Sequence, residues 1–555
     1  MTRLSPHLSP LRQRWPALLG ALVACNGEPE PPQPQPQDPI LAALDAHPGA
    51  AWGVANLDDD DGDNQPDFGT ATGDDDDLAA LGFPAGAFDT LVDGRALSFT
   101  LTDDTGLIQV WSGDAVVLSG AEGGATEWSA DAEVAPEGLR VEFGDFAIDA
   151  ALTVVLLDAE GAVEREAELS LRSAPLIFNH HLQPAREIAA VDFNYAGYGS
   201  NAAMLRAFDD VSDGALRSPD ARLYGFDVWV QDELEFGTAA VPGHRIDVVV
   251  DSIRAGRERA LDPFAEEQYL GPGFAVGTWG DGRPTSQDSF GNLEVTPPID
   301  VDGVAYPFGR LYYGKGKDYE QLHPEMRAFL DRQQVQAPFV LDIDWLCVGH
   351  VDEFVTMLPD PSAPRGFRVY VTDTDLGLAL VDAQDPAMDI PRYGYHGYDT
   401  VGEIQDDAAL RAYNEDLQLD SIEPNIETLQ AEMGLQDGEL VRVPGLFERS
   451  SECGGAALAL IPATVNLAAW TSADGTSGEL VLPDPYFRSS SVDDGTDPVI
   501  AAFEELLPPT VGLNWVDDWF VYHLAWGEVH CGSNVLREQT LDWWDEAPHL
   551  VEVAP

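Results

Sequence analysis

Three segments carry side chains capable of covalent chemistry. Trp526-Gly-Glu-Val-His-Cys-Gly-Ser-Asn534 places Cys531 after a strand-like run and before Gly532-Ser533-Asn534, so its sulfur is expected at a strand end, open to a pocket. Asp344-Trp-Leu-Cys-Val-Gly-His-Val-Asp-Glu-Phe354 sets His350 and Asp352 two positions apart, which on a strand points both to one face. Asp227-Val-Trp-Val-Gln-Asp-Glu-Leu-Glu-Phe-Gly237 adds a cluster of acids. A thiol, an imidazole and carboxylates are the parts for nucleophilic attack on an electron-poor carbon. The histidine would move protons and the carboxylates would hold a cationic substrate. Residue types alone leave scattered structural roles open, because a lone cysteine is more often a small buried hydrophobe than a nucleophile.

Elements of mixed type must position these groups. Beyond about Ser173, strands such as Arg245-Ile-Asp-Val-Val-Val250 and Phe367-Arg-Val-Tyr-Val371 alternate with helical stretches around 323–335, 407–433 and 497–507. This is an α/β mixture without a parallel βαβ rhythm or a phosphate-binding glycine loop. From Ala96 to Leu171, short alternating bursts such as Leu97-Ser-Phe-Thr-Leu101 and Leu139-Arg-Val-Glu-Phe143 are separated by turn residues, which predicts a small β-sandwich. That region holds no Cys or His, so its role is expected to be structural.

The length of 555 residues suits two to four domains. Against 97 Asp+Glu stand 29 Lys+Arg, a net charge of −68, which repels phosphate backbones and anionic headgroups and argues against nucleic-acid binding. A 44% hydrophobic content, with 13 Trp, 15 Tyr and 23 Phe, is too apolar for a disordered acidic tail. Four Cys cannot make a disulfide framework, so each thiol is considered singly.

Arg3, Arg12 and Arg14 precede the apolar run from Trp15 to Ala24, long enough for a signal-peptide core and too short to span a bilayer. It ends in Leu22-Val-Ala-Cys25, which resembles the bacterial lipobox, so residues 1–25 read as a lipoprotein signal with Cys25 as the lipidated residue. Residues 26–45 are rich in Pro and read as a semi-rigid tether. The expected location is the cell envelope, periplasmic or surface, or a secreted form, with membrane contact only through the N-terminal anchor.

Between the tether and the sandwich, ten aspartates fall within positions 58–77. Alternating carboxylate and amide oxygens, with Gly62 allowing a sharp turn, suit Ca²⁺, which collects six to eight oxygens at roughly 2.3–2.6 Å. Asn56, Asp58, Asp60, Asp67 and Asp76 are the candidate ligands.

The segments Trp229 to Gly237, Asp288-Ser-Phe-Gly-Asn-Leu-Glu-Val295, Gln333-Gln-Val-Gln-Ala-Pro338, the His350 segment and Gly527-Glu-Val-His-Cys-Gly532 occur in one chain order. In this the sequence resembles the calcium-dependent peptidylarginine deiminases, from about Arg172 to the Trp543-Trp544 pair. The resemblance implies a five-bladed α/β propeller over residues 173–555, preceded by a calcium-binding, immunoglobulin-like region over 46–172. It implies Cys531 as nucleophile on the guanidinium carbon, Asp232 and Asp352 as carboxylates gripping the guanidinium, and His350 as proton carrier. Trp229, Arg254, Arg257 and His530 would contact an arginine-containing peptide or protein.

The same resemblance implies several Ca²⁺ ions. One would take Gln231, Glu235, Glu294 and the carbonyls of Phe290 and Leu293; a second would take Glu233, Asp251 and Ser252. If residues 231–235 form a strand, Gln231, Glu233 and Glu235 share one face and Asp232 the other. Some positions depart from the family. Ala525 stands where a substrate-gripping arginine is expected, an asparagine ligand near Asp251 is absent, a second gripping arginine is displaced to Arg254 or Arg257, and Gly273 replaces an acid. Cys347 and Cys453 are free to pair in an oxidising compartment. A deiminase of free arginine, agmatine or another small guanidine is therefore an alternative, and a catalytically inactive calcium-binding surface module is a third.

Overall fold

The structure, a computed structural model, describes residues 38–551 apart from 47–48, 71–76, 85, 87, 89–90, 92–93, 131–137, 255–259, 318–320, 437 and 490–495. The expected signal and Cys25, with Asp76 and Arg257, lie outside the described residues.

Two sheets share one core in the N-terminal region. The first runs in the order Ala50–Gly53, Val163–Ser173, Asp149–Leu157, Ala96–Thr102 and Glu127–Ala130; the second runs Ala79–Ala80, Leu139–Phe143, Ile108–Ser112 and Ala115–Ser119. Strand Asp149–Leu157 alternates between buried and half-buried side chains along its length, as a strand with one face on a core must. Phe99, Val110, Val141, Phe143 and Leu152 pack together between the sheets. The tether reading ends too late. Pro39–Ala46 is a helix whose Ile40, Ala43 and Leu44 join this core, because its apolar residues fall at helical spacing.

The remainder is a mixed α/β body. Around the site stand five small sheets, built on Leu234–Val241, Ala185–Ala190, Leu311–Lys315, Phe367–Asp373 and Gly478–Pro483. Each combines antiparallel and parallel pairing, for example Phe367–Asp373 with antiparallel Val355–Pro359 and parallel Leu440–Pro444. Every side chain of Leu234–Val241 is buried, which fits its run of apolar residues and small glycine and alanine. The expected helices form as Pro324–Arg332, Ala408–Leu417 running into Glu423–Met433, and Pro498–Glu504. Among the described residues, no helix is long and apolar enough to cross a membrane.

Candidate active site

The candidate catalytic residues come from three irregular junctions rather than from strands. Residues 231–233 lie in the single helical turn Val230–Glu233, and the strand begins only at Leu234. The expected strand alternation is therefore wrong. A strand buried on both faces has no room for alternating carboxylates, whereas a helical turn fans successive residues about 100° apart. Gln231 goes toward Glu235, Asp232 into the pocket and Glu233 toward Arg254. His350 likewise caps a short 3₁₀ turn, Val351–Glu353, instead of sharing a strand with Asp352. Glu353 locks that turn by accepting from the Gly349 and His350 N–H groups at 2.9 and 2.8 Å. Cys531 lies in a turn before strand Ser533–Arg537, so it precedes a strand rather than following one. The Gln231 N–H donates to the Cys531 carbonyl at 3.2 Å and ties the first junction to the third.

These junctions converge. A methyl placed on Gly291 would lie 2.7 Å from His350 Nδ1, 3.2 Å from Asp352 Oδ2 and 3.3 Å from Asp232 Oδ1, so all three surround one point. Cys531 Sγ is 3.7 Å from Asp352 Oδ2. His350 Nε2 is 3.0 Å from the Ser286 carbonyl, which fixes the ring, while Nδ1 stands 3.5 Å from Asp232 Oδ1. Asp232 Oδ1, His350 Nδ1 and Asp352 Oδ1 are buried without a hydrogen-bond partner. Asp232 and His350 border a cavity of about 500 Å³ that Trp229, Trp526 and Cys531 also help to line. Trp229 packs edge-on against Tyr522 and lies against Gly527, forming one wall.

Burial pushes the Cys531 thiol well above its usual range, and the charges of Asp352 and Asp232 push it further. Burial also raises Asp232, against the opposing pull of His350 and Arg254. The apo pocket thus holds acceptors and a protonated thiol, and a cation that neutralises both carboxylates favours the thiolate.

Asn466 is a positioning residue that no sequence signal marked. Its Oδ1 accepts from the N–H groups of His530 and Cys531 at 3.0 and 3.3 Å, and its Nδ2 lies 3.2 Å from the Asp352 carbonyl and 3.3 Å from Cys531 Sγ.

Two residues expected at the substrate do not face it. Arg254 is buried, with Nη1 2.7 Å from Glu233 and Nη2 3.4 and 3.8 Å from Asp227 and Asp232, so its charge is spent on interior acids. His530 turns behind the pocket, with Nδ1 3.0 Å from Asp352 Oδ2 and Nε2 3.6 Å from Glu294 Oε1.

The expected metal ligands fall into three groups. Gln231, Glu235, Glu294 and the Phe290 carbonyl assemble, with Gln231 Nε2 2.8 Å from Glu235 and 3.2 Å from the carbonyl; rotating the amide presents its oxygen instead. Leu293 opens the strand that carries Glu294. Burial drives Glu235 up to about 8, and drives Glu294 well above the carboxylate range with Glu235 and Asp352 as further causes, so this oxygen set fits a hard cation. Glu233, Asp251 and Ser252 are also neighbours: the Ser252 N–H donates to the Glu233 carbonyl at 2.8 Å, and Glu233 Oε1 and Asp251 Oδ1 have no hydrogen-bond partner. Arg254 already serves the other Glu233 oxygen, so this set fits a cation less well.

In the acidic segment, Asp58 and Asp60 gather with Asp77, while Asp67 joins Asp59 and Asp61. The single expected cluster is therefore two. Asn56 instead donates to Glu142 at 2.8 Å. Burial and Asp77 raise Asp58 to about 7. Asp58 also accepts from the Gly273 N–H at 2.6 Å, and Asp77 meets His244 at 2.6 Å, which docks the acidic segment on the α/β body. Cys347 and Cys453 are joined as a disulfide beside the reactive cavity.

Comparison with known proteins agrees with this chemistry. Residues 165–545 match the family model described as protein-arginine deiminase (PAD). The chain belongs to the protein-arginine deiminase family. It is 32% identical to human protein-arginine deiminase type-4 over 435 residues, covering 74% of this chain and 62% of that protein. Human type-1 is equally similar at 32% over 435 residues, and mouse type-4 is 30% identical over 436. The chain therefore spans less than two thirds of the length of these relatives. A solved Campylobacter jejuni agmatine deiminase aligns with 66% of this chain and 98% of its own at 11% identity and a TM-score of 0.39, too low to carry an argument.

Proposed function

We propose that this chain is a calcium-dependent deiminase that converts peptidyl-arginine to citrulline and ammonia. The observation that carries the reading is the convergence of unpartnered Asp232, Asp352 and His350 atoms beside the Cys531 sulfur. A guanidinium presents a planar fork of donors, and two facing carboxylates satisfy them while holding its carbon toward the thiol. Cys531 passes its proton to His350 and forms the S–C bond. His350 protonates one guanidinium nitrogen, the C–N bond breaks, and ammonia leaves. His350 then takes a proton from water, the hydroxyl oxygen adds to the thiouronium carbon, and the C–S bond breaks to return the thiolate and citrulline.

Gln231, Glu235, Glu294 and the carbonyls of Phe290 and Leu293 would hold one calcium, and Glu233, Asp251 and Ser252 part of another. Bound calcium would supply charge that keeps these buried acids ionised. Because Gln231 and Asp232 share one helical turn, fixing Gln231 fixes the aim of Asp232. The clusters of Asp58, Asp60, Asp77 and of Asp59, Asp61, Asp67 would take further ions. The five mixed sheets would be the blades of a propeller, and the two-sheet region an immunoglobulin-like domain. Export as a Cys25-anchored envelope lipoprotein is supported by the Cys347–Cys453 disulfide, which an oxidising compartment permits. Partition of the full chain into detergent, lost in Cys25→Ala, tests that anchor.

A small-guanidine substrate is the second reading, favoured by the rim. Ala525 and a half-exposed Trp526 stand there, and among the described residues no arginine lines the reactive cavity. Citrulline or ureido-product formation from a blocked arginine peptide, free arginine and agmatine, with Ca²⁺ or chelator, decides between them. Calcium-dependent turnover of the peptide that vanishes in Cys531→Ala supports the first reading. Turnover of small guanidines alone supports the second, and no turnover leaves the inactive binding module.

A further inference from the structure

Behind the reactive pocket, a cavity of about 20 Å³, the size of one water or ion, is bordered by His181, Glu294, His530 and Asn179. Gln231 and Glu235 of the calcium group line the same cavity, and His181 and His530 add imidazole nitrogens that an all-oxygen calcium set lacks. His181 Nδ1 is 3.2 Å from the Met357 carbonyl, which only accepts, so this nitrogen carries the hydrogen and Nε2 presents a lone pair. The Thr356 hydroxyl, 3.4 Å from the same Nδ1, adds a weaker contact. His530 Nδ1 lies 3.0 Å from Asp352 Oδ2 and its Nε2 faces Glu294; in the tautomer with the hydrogen on Nδ1, Nε2 is a lone-pair donor. Those two Nε2 atoms lie 4.0 and 3.6 Å from the two oxygens of Glu294, and the three ligand atoms fall within 4.8 Å of one another.

A cation placed between them would draw the two imidazole nitrogens and the Glu294 carboxylate into one coordination set. Arg537, the fixed cation of this cavity, spends its donors on the His181, Gln183 and Ala469 carbonyls. Asn179 is the independent sign of a missing ligand: it is 7% exposed, and neither its oxygen nor its nitrogen has a hydrogen-bond partner.

We propose that His181, His530 and Glu294 form a site for a borderline divalent transition metal of the zinc class, with Asn179 or a water as the fourth neighbour. Two imidazoles and one carboxylate are a zinc-type donor set, and calcium prefers oxygen alone. Tetrahedral bonds of about 2.0–2.2 Å put ligand atoms about 3.3–3.6 Å apart, and the observed spacings, 3.6 and 4.0 Å to the two Glu294 oxygens and within 4.8 Å overall, show side chains that close by up to about 1.4 Å when the ion binds. Both rings already have the outer partner that orients a metal-bound histidine, a carbonyl for one and a carboxylate for the other. The site stands independently of the deiminase reading. It shares Glu294 with the calcium group, so the two metals compete. Through His530 it also reaches Asp352, so zinc occupancy is expected to inhibit turnover.

The test uses the full chain stripped of metal and titrated with Zn²⁺ against a chromogenic chelator, then with Co²⁺ while visible absorption is read. The proposal expects one equivalent of Zn²⁺ bound at least 100-fold more tightly than by His181→Gln, and an intense four-coordinate Co²⁺ spectrum weakened by Ca²⁺. The spectrum is read on the unmodified chain, so it holds even if the variant fails to fold. Zn²⁺ affinity equal in the two proteins, or only the pale spectrum of six-coordinate Co²⁺ on surface carboxylates, overturns the site.

Discussion

Replacing Asp352 with Asn separates nucleophile reactivity from turnover. Asp352 Oδ2 lies 3.7 Å from Cys531 Sγ and is the first charge raising the thiol beyond the effect of burial. Two unit charges about 4 Å apart interact by about 4 kcal/mol at an effective dielectric of about 20, a ceiling of about three pKa units. The open cavity screens the pair, so a fall of about one to two units is expected for the thiol in Asp352→Asn. The isosteric amide keeps an oxygen for the His530 N–H. Thiolate fraction rises tenfold per unit while intrinsic nucleophilicity falls by about half that exponent, so alkylation at fixed neutral pH should quicken about 3- to 10-fold. Loss of a charge-assisted hydrogen bond to the guanidinium should cut deimination about 10- to 100-fold. Iodoacetamide labelling read at Cys531 by mass spectrometry across pH measures the first effect, and citrulline formation the second. An alkylation profile that is unmoved, or moved to higher pH, refutes the electrostatic account of this site.

Gly291→Ala inserts a methyl between His350, Asp352 and Asp232, and is expected to lower kcat/KM on the order of 100-fold with an unchanged circular dichroism spectrum; activity near that of the unmodified chain would show that substrate does not use that point. The Cys347–Cys453 bond closes a separation of 106 residues, for which chain entropy gives up to about 4.7 kcal/mol. Denaturant midpoints should fall alike for the reduced chain and the Cys347→Ser, Cys453→Ser double variant, with no further effect of reductant on the latter. Glu235 ionises at about 8 in the folded chain against 4.5 ordinarily, and Glu294 is raised in the same direction. The metal-free fold therefore binds more protons than the unfolded chain across that window and loses stability as pH rises through it. Thermal unfolding of metal-free protein should drop between pH 5 and 8, and saturating Ca²⁺ should flatten the decline; a level metal-free profile counts against buried, uncompensated acids.

The sequence displayed the candidate catalytic residues but not how the chain bends to aim them. Cys531, His350, Asp232 and Asp352 stand out because each sits in a long motif shared with a known family. Their backbone was misread at all three junctions for one reason: alternation of apolar and polar residues describes regular strands, and these side chains sit where strands stop. A helical turn at Val230–Glu233 and a capped 3₁₀ turn at Val351–Glu353 fan successive side chains around an axis, whereas a strand only alternates them between two opposite faces. Contacts made across the fold left no local trace. Asn466 lies in an unremarkable run just before strand Ala468–Thr471, and its contact with Cys531, 65 residues away in sequence, exists only in the folded chain. The fate of Arg254 was equally hidden, since whether a guanidinium grips substrate or neutralises Glu233 depends on what else can reach that carboxylate.

That last point links charge to regulation. With 97 acidic and 29 basic residues, the chain has few internal cations to spare, and it places Arg254 against three acids at the pocket's edge. Glu235 and Glu294, on the other side of the same helical turn, feel the charge of Arg537 but make no arginine ion pair among the described residues, and burial favours their protonated forms until a cation arrives. One turn thus separates an acid neutralised by Arg254 from a buried acidic pair, with Asp232 between them. If calcium acts by ordering Gln231 and Glu235, Glu235→Gln should retain the fold and lose calcium activation, while an apo-like basal rate persists. Equal calcium dependence in the variant and the unmodified chain, measured as the midpoint of a Ca²⁺ titration of turnover, would place the activating ion elsewhere, at the Asp58, Asp60 and Asp77 cluster.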